Sequence, residues 1–310
     1  MNWTKQLRLK HLALLIELAE SGSLSDVARH SFTTQPGLSK WLKELEDDVG
    51  APLFERHARG LRPTALGDVM IQHARRILSE VDRASQDVNA LRQGGSRILS
   101  IGTSPAAAPA FVPAAMMRFM ELHPQIRLRV EEGTMNEMLA QLELGKLDLV
   151  VGRMDNYRPR PTLSSAILYS ERLRVVARPG HPLAGRSDLG WDDLYNYQWI
   201  VWPDGTPIRA KLDMALTAAG RKPAPAQVES SSQIANLWLI KYSNMLSISS
   251  ERVARHFSER GLVVPLDMQI EHADGAVGMC WRDEGSPDPL LRSLIDCFRE
   301  QSRRMENGEE

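Results

Sequence analysis

The residues best suited to contact nucleic acid lie within the first 62 positions of the chain. Gln35 and Ser39 carry hydrogen-bonding groups that suit base edges, and Lys40 and Lys43 carry charge that attracts phosphates. Three arginines then fall within seven residues, which is typical of a loop that contacts the DNA backbone. The predicted DNA-contacting set is Thr34, Gln35, Pro36, Ser39, Lys40, Lys43, Arg56, Arg59 and Arg62.

A second group of polar side chains follows predicted β-strands later in the chain. In open α/β sheets, ligands bind beyond the carboxyl ends of the strands, where helix N-termini offer free N–H groups. Because serine and threonine are also the ordinary N-caps of helices, each hydroxyl here has a purely structural alternative. The predicted ligand-binding set is Thr103, Ser104, Thr134, Arg153, Trp202, Thr206 and Ser231.

Arg153 directly follows the predicted strand LDLVVG. A guanidinium at that place can hold a carboxylate through two parallel hydrogen bonds. It can equally form a salt bridge, either at the protein surface or between two lobes of this part of the chain. The sequence leaves both roles open.

The spacing of capping and apolar residues predicts the elements that present the DNA-contacting set. Ser23 is an expected N-cap for one short helix, and Thr34 for the next, with Pro36 in its first turn. Leu38, Leu42 and Leu45 recur at helical spacing and leave the polar residues on the other face. With the basic loop behind them, these helices predict a winged helix-turn-helix domain over residues 1–65.

A long helical pattern follows Thr64 and continues to about Arg92. Its apolar residues alternate between spacings of four and three, as in the seam of a coiled coil. The alternative is a single amphipathic helix packed on its own domain. Residues 66–96 are predicted to form a linker helix that ends in a hinge at Gly94-Gly95-Ser96. The predicted dimer contacts are Met70, Ile77, Val81, Val88 and Leu91.

Beyond residue 97 the hydrophobic pattern changes to that of alternating strands and helices. Two successive β-α-β sets predict parallel, doubly wound sheets, and hence two lobes with a cleft between them. This α/β domain is expected to span residues 97–310, with lobe I at about 97–168 and 270–310 and lobe II at about 169–269.

The N-terminal residues resemble those of LysR-type transcriptional regulators. The resemblance rests on Ser23, Ala28, the TQPGLS run, Leu42, Leu45-Glu46, Gly50, Leu53-Phe54, Arg56 and the spacing from Thr64 to Gly67. The chain departs from the usual pattern at Ser31, Gly37 and Pro63. Gly37 should cost about 1 kcal/mol relative to alanine in a helix. Phe32 is expected to fill the core beside Ser31.

The resemblance implies a winged helix-turn-helix, a coiled-coil linker helix and a two-lobed effector domain similar to periplasmic solute-binding proteins. In that family the linker helix pairs two chains on one pseudo-palindromic DNA site. The implied partners are double-stranded DNA, a small-molecule effector and further copies of the chain, first as a dimer and then as a tetramer. RNA polymerase is a further candidate partner. Ser104 and Thr134 match positions that bind effector in the family.

Two segments, LDLVVGRM and VARPGHPL, resemble the branch that includes regulators of galactose and related sugars and of protocatechuate-pathway genes. That similarity implies a sugar, a sugar acid or an aromatic acid as effector. The family often carries a Gly-x-Gly turn after the helix that begins near Ser231. This chain has Lys241-Tyr242-Ser243-Asn244 instead, so the wall of lobe II is expected to differ.

The charge of the chain gives it no overall attraction to DNA. Its formal net charge is −1 over 310 residues, and residues 1–65 hold nine lysines and arginines against eight acidic residues. The attraction must therefore come from the placement of the basic residues. No signal peptide or membrane span is recognised in the sequence. With only two cysteines, this pattern predicts a protein of the reducing cytoplasm that does not act at a membrane.

Three other classes of protein share parts of this pattern. An enzyme is disfavoured because no nucleophile elbow, phosphate loop or metal-binding histidine pair is present, so neither a catalytic residue, a metal nor a cofactor is expected. A redox sensor would need Cys280 or Cys297, which lie in core-like runs. A solute-binding protein that merely dimerises through its N-terminal domain would leave the polar face around Gln35 without a purpose.

Overall fold

The computed structural model describes residues 3–57, 60–92, 97–105, 107, 109, 111–155, 157–271, 273–283, 285 and 288–308. The chain divides into two compact units, Met1–Gly95 and Ser96–Glu310. Arg59 and the expected hinge at Gly94-Gly95-Ser96 lie outside the described residues, as does Ala110, at which the hydrophobic pattern of the sequence predicts the start of a helix.

The first unit is built on four helices that share one apolar core. They are α1 (Trp3–Gln6), α2 (Leu9–Ser21), α3 (Leu24–His30) and α4 (Gln35–Val49). Helix α4 contributes Leu38, Leu42 and Leu45 to this core, and all three are buried as their spacing predicted. Leu15 and Leu18 of α2 are fully buried against them.

Both predicted helix caps are present. The hydroxyl of Ser23 accepts a hydrogen bond from the N–H of Asp26 (3.2 Å), and the hydroxyl of Thr34 accepts one from the N–H of Gly37 (3.2 Å). Each bond satisfies an N–H group that has no partner within the first turn of its helix. The caps therefore fix where α3 and α4 begin, and with them the face that α4 presents.

The expectation that Phe32 fills the core beside Ser31 is wrong. The side chain of Phe32 is 101% exposed. The hydroxyl of Ser31 instead donates a hydrogen bond to Oε2 of Glu17 on α2 (2.7 Å). Ser31 needs no apolar cover because its polar group is satisfied by a carboxylate.

Two short strands, β1 (Phe54–His57) and β2 (Gly60–Pro63), pair antiparallel and form the predicted wing. Oε1 of Glu46, on α4, accepts hydrogen bonds from the N–H groups of Leu53 (2.7 Å) and Phe54 (3.0 Å). Since both bonds end on one carboxylate oxygen, Glu46 ties the first strand of the wing to α4.

Helix α5 (Ala65–Arg92) confirms the predicted long helix. A Cβ at Gly67 would lie 2.0 Å from the carbonyl oxygen of Leu53, so only glycine fits where this helix passes the wing. Farther along, Met70 packs against the core of the first unit, and Ala74 is fully buried. The later members of the predicted seam, Ile77, Val81 and Val88, are exposed, and the side chain of Leu91 is not described.

The first lobe of the second unit is a five-stranded sheet in the order β4-β3-β5-β12-β6. Its strands are β3 (Ile98–Thr103), β4 (Arg127–Glu132), β5 (Leu149–Arg153), β6 (Leu163–Glu171) and β12 (Gly275–Arg282). Its helices are α6 (Phe111–Leu122), α7 (Met135–Glu143) and α12 (Pro289–Glu306). The side chains of Leu99, Phe111 and Phe298 meet in its core.

The second lobe is a five-stranded sheet in the order β11-β7-β10-β8-β9. Its strands are β7 (Leu173–Ala177), β8 (Trp199–Val201), β9 (Ala226–Glu229), β10 (Leu246–Ser250) and β11 (Val264–Pro265). Its helices are α8 (Trp191–Leu194), α9 (Pro207–Ala218), α10 (Gln233–Lys241) and α11 (Glu251–Ser258). None of the described helices is both long and apolar enough to cross a membrane.

The sheets are mixed, whereas the sequence predicted parallel ones. In lobe I, β12 runs antiparallel to β5 and β6, and in lobe II, β7 runs antiparallel to β10 and β11. Each of these two strands is the first one in its lobe after the chain has crossed over from the other lobe. The parallel strands end at the edge that faces the other lobe, so a strand that begins at that edge must run the opposite way.

The chain crosses between the lobes at Arg172 and again near Asp274, a few residues later than expected. Strand β6, which ends at the first crossing, was not predicted. The two crossings lie side by side, because the N–H of Leu173 donates to the carbonyl of Ala273 (3.2 Å) and Nε of Arg172 donates to Oδ1 of Asp274 (2.8 Å).

Candidate functional site

The polar residues predicted to read DNA lie on the face of α4 opposite its buried leucines. Gln35, Lys40 and Lys43 are exposed, and Ser39 is half-buried. Thr34 and Pro36, at the start of the helix, are also exposed. A helix with one buried face and one exposed polar face is the arrangement that a recognition helix needs.

The wing adds its own charge beside this face. Ser39 and Lys43 of α4 and Arg56 of β1 line one concave surface, whose floor is formed by apolar side chains such as Phe54. Arg56 and Arg62 are exposed, and Arg59 lies outside the described residues. The first unit therefore presents hydroxyl, cationic and carboxylate groups to a single depression between helix and wing.

The second unit contains a cavity between its two lobes. Six of the seven residues predicted to bind a ligand line it: Ser104, Thr134 and Arg153 from lobe I, and Trp202, Thr206 and Ser231 from lobe II. The seventh, Thr103, is buried at the end of β3, where its hydroxyl lies 3.3 Å from the carbonyl oxygen of Ser104 as a hydrogen-bond donor.

Strand topology explains why residues so distant in sequence meet here. Ser104 follows β3, Thr134 follows β4 by two residues, and Arg153 ends β5. In lobe II, Trp202 follows β8 and Ser231 follows β9 by two residues. Parallel strands place their carboxyl ends at one edge of a sheet, and the two edges face each other across the cavity.

The hydroxyls of the cavity differ in their free hydrogen-bonding capacity. Oγ of Ser104 is buried and has no hydrogen-bond partner among the described residues. The hydroxyl of Thr206 donates to the carbonyl of Pro203 (2.7 Å). A Cβ at Gly152 would come within 2.6 Å of the Ser104 oxygen, so the glycine leaves room for this group.

Thr134 has both the structural and the candidate binding role that its sequence left open. Its hydroxyl accepts from the N–H of Glu137 (3.4 Å) and donates to Oε2 of Glu137 (2.7 Å). The same carboxylate oxygen accepts from the N–H of Thr134 (3.0 Å), which completes a capping box at the start of α7. These hydrogen bonds lower the pKa of the Glu137 carboxyl.

Arg153 lies in a buried ion-pair network. Nε of Arg153 donates to Oδ2 of Asp155 (2.8 Å), and Nη1 lies 3.7 Å from Oε1 of Glu171. Nζ of Lys211, on α9 of lobe II, lies 3.6 Å from Oδ1 of Asp155 and so forms an interlobe ion pair. The guanidinium therefore already faces two carboxylates of its own lobe, and these ion pairs are buried, whereas the alternative left open by the sequence was a surface or interlobe salt bridge.

Glu171 sits in this network at the first crossing between the lobes. Burial raises the pKa of its carboxyl to about 7, although the nearby Arg153 guanidinium acts in the opposite direction. Sequence reasoning missed Glu171 and Lys211, since neither stands in a recognisable motif. Asp155, two residues after Arg153, is the one member that its sequence position could have suggested.

The remaining open space in the cavity is small. The centre of a water molecule can occupy about 40 Å³ of it. That volume exceeds what one water needs, while a larger ligand requires the walls to separate. Apolar side chains, among them Met135, Trp202 and Ile208, make up much of the lining. The indole N–H of Trp202 is held by the carbonyl of Ile248 (3.0 Å), which fixes the ring.

The two cysteines lie in the core rather than at this site. Both Cys280 and Cys297 are buried, and burial raises the pKa of the Cys280 thiol to about 11. A thiol with so high a pKa forms little of the reactive thiolate, which argues against a redox sensor. Within the described part of the chain, no group of three or more potential metal ligands is found.

Known proteins resemble the chain over both units. The bacterial regulatory helix-turn-helix protein model of the lysR family matches residues 9–68, and the LysR substrate binding domain model matches residues 92–303. The HTH-type transcriptional regulator GbpR of Azospirillum brasilense is 30% identical, over 97% of this chain and 89% of that protein. The HTH-type transcriptional regulator GalR of Pseudomonas putida is 28% identical, over 94% of this chain and 73% of that protein.

The same fold occurs in a solved structure. The crystal structure of full-length CbnR complexed with its target DNA has a TM-score of 0.62 to this chain at 21% identity, covering 95% of this chain and 100% of that one. Because the two family models together cover nearly the whole length, the chain belongs to the LysR family of DNA-binding transcriptional regulators.

Proposed function

We propose that a small molecule bound in the cavity between the two lobes switches this regulator, and that it is a sugar, a sugar acid or an aromatic acid. The observation that carries this proposal is the cavity itself, which is lined from both lobes and includes six of the residues predicted to bind a ligand. A ligand that contacts both lobes favours one angle between them, and this differential binding is what a switch requires.

The lining supports this range of ligands. The aromatic ring of Trp202 and the apolar Met135 and Ile208 suit the faces of sugar or aromatic rings. The unpartnered hydroxyl of Ser104 can bond a ligand hydroxyl or carboxylate. Arg153 supplies positive charge at the wall, but its two carboxylate neighbours reduce its attraction for an acid.

Thermal melting of the full-length protein with a panel of these three compound classes tests the proposal. A ligand at a hundred times its dissociation constant stabilises by about 2.7 kcal/mol, which raises the melting temperature by a few degrees. Ser104→Ala should melt like the wild type without ligand and show a reduced shift with it, because no internal hydrogen bond is lost. Ser187→Ala, at an exposed position, is the matched control.

If no compound of the panel shifts the melting temperature, the proposed ligand classes are wrong. If Ser104→Ala responds as strongly as the wild type, Ser104 does not contact the ligand.

We also propose that α4 and the wing contact DNA in different ways. Gln35 would read a base edge, so Gln35→Ala should lose discrimination at one base pair by about 1–3 kcal/mol. Arg62 would contact phosphates, so Arg62→Ala should weaken binding to all sequences and lower the salt dependence by about one unit. Equal losses for both variants on specific and random DNA would contradict this division. Arg59 remains a predicted phosphate contact of the same kind.

We propose further that α5 pairs two copies of the chain and that the effector domains join dimers into a tetramer. The exposed Ile77 (44%), Val81 (40%) and Val88 (54%) on α5 support the pairing, since such a stripe is costly in water. Val81→Asp should shift the protein to smaller species in light scattering coupled to gel filtration. Ser85→Asp, one turn on, tests whether a charge beside the stripe has the same effect.

A further inference from the structure

The turn between α3 and α4 ends α3 in an unusual way. Helices α2 and α4 both end at a glycine in the left-handed conformation, Gly22 (φ 65°) and Gly50 (φ 84°). After α3 that conformation is taken by Phe32 (φ 51°), which is the one non-glycine residue with positive φ among the described residues. Left-handed backbone is costly for a bulky side chain.

The hydrogen bonding of the turn shows that Phe32 occupies the left-handed position of a standard helix-ending motif. The N–H of Thr33 reaches back to the carbonyl of Ala28 (3.1 Å), which is the long bond of a Schellman motif. The left-handed residue of that motif is ordinarily glycine or asparagine. Nothing in the local backbone geometry therefore favours phenylalanine at position 32.

Packing within the first unit does not compensate for this strain. The side chain of Phe32 is 101% exposed, so its ring buries no area in the core. Asparagine or glycine at this position would relieve the backbone strain without losing any buried contact. Phenylalanine therefore gives no advantage for folding. Strain that folding does not explain points to a function.

The position of Phe32 indicates which function. It stands two residues before the N-cap Thr34, and an ideal Cβ on Gly37 would lie 3.7 Å from Oγ1 of Thr33. The turn thus lies against the first turn of α4, and residues 32–37 are all exposed. In a docked helix-turn-helix the first helix crosses the DNA backbone and the N-terminus of the second enters the major groove. The turn between them therefore meets the wall of the groove.

We propose that Phe32 is a further DNA-contacting residue whose ring packs against deoxyribose at the wall of the major groove. This inference rests on the proposed reading face of α4. An apolar contact with sugar carries neither charge nor sequence information. Phe32 therefore adds affinity for any DNA sequence without adding to the salt dependence of binding, which separates its role from those of Gln35 and Arg62.

Phe32→Asn tests the proposal in the full-length protein. Because asparagine tolerates the left-handed backbone, this variant should melt a few degrees higher than the wild type. Its affinity should fall about tenfold on both operator and random DNA, with an unchanged salt slope, as expected when an aromatic contact is lost. Phe32→Tyr, which keeps the ring, should bind within about twofold of the wild type on this reasoning.

Gln35→Ala and Arg62→Ala are measured in the same titrations. If these two variants lose affinity and Phe32→Asn does not, the inference about Phe32 is overturned while the reading face stands. If all three bind like the wild type, the reading face itself is wrong. A change of oligomeric state in Phe32→Asn with unchanged DNA affinity would assign the ring to a second copy of the chain instead. A loss confined to sites that contain thymine, and absent with uracil, would place it on a base methyl group and overturn the sugar contact.

Discussion

Replacing Glu171 by glutamine should change how the stability of the two-lobed unit depends on pH. Burial raises the pKa of this carboxyl to about 7 in the folded protein, from an ordinary value of 4.5. Because the folded pKa is the higher one, folding favours the protonated acid. The stabilisation is fully present below pH 4.5 and is lost as the pH rises through 7. A difference of about 2.5 pH units corresponds to roughly 3 kcal/mol.

The assay is urea unfolding at pH 5.0 and pH 7.5, followed by tryptophan fluorescence. Glutamine cannot ionise, so it does not lose this stabilisation as the pH rises. The free energy of unfolding of Glu171→Gln minus that of the wild type should therefore be about 2–3 kcal/mol larger at pH 7.5 than at pH 5.0. Comparing the two proteins at each pH cancels the other groups that titrate in this window. Glu259→Gln, at an exposed carboxyl, is the control and should show no such gain. A constant difference between wild type and Glu171→Gln at both pH values would refute the reasoning.

Two further predictions concern a carboxylate that ties the wing to α4 and a hydroxyl that caps α7. Glu46→Ala should lower the free energy of unfolding of the first unit by about 2–3 kcal/mol, because it leaves the N–H groups of Leu53 and Phe54 without their acceptor. Glu46→Gln should recover part of this loss in circular-dichroism melts, and equal losses for the two variants would contradict the role of the oxygen. Thr134→Val should cost about 1 kcal/mol by removing the N-cap of α7 and should also abolish the response to effector. Thr134→Ser, which keeps the hydroxyl, should retain both in melting experiments with and without ligand; an effector response that survives in Thr134→Val would remove Thr134 from the binding site.

The elements of the first unit could be predicted because their signals are local. Ser23 and Thr34 cap helices whose first turns lie within three residues of them, and the buried leucines of α4 recur at a fixed spacing. Phe32 was misplaced for a physical reason. Hydrophobicity alone put it in the core, while the backbone of the turn and the hydrogen bond from Ser31 to Glu17 left it no place there.

The second unit was less predictable because its details depend on contacts between distant segments. Topology was sufficient to collect six residues at one cavity, since strand ends meet wherever parallel strands pair. It could not show that Arg153 is shared between Asp155 and Glu171, or that Lys211 reaches the same network from the other lobe. Strand β6 escaped detection because Ser164 and Ser165 interrupt its apolar residues, so its sequence lacks the alternation of apolar and polar residues that is typical of a half-buried strand.

The paired crossings at Arg172 and Asp274 restrict how the lobes can move. Two connections between two packed bodies define a line, and rotation about that line leaves both connections intact, whereas sliding strains them. The lobes therefore have one soft degree of freedom, an opening angle. The cavity lies between the two lobes, so the proposed ligand would act on this angle. A single measured angle would then describe the state of the whole sensor.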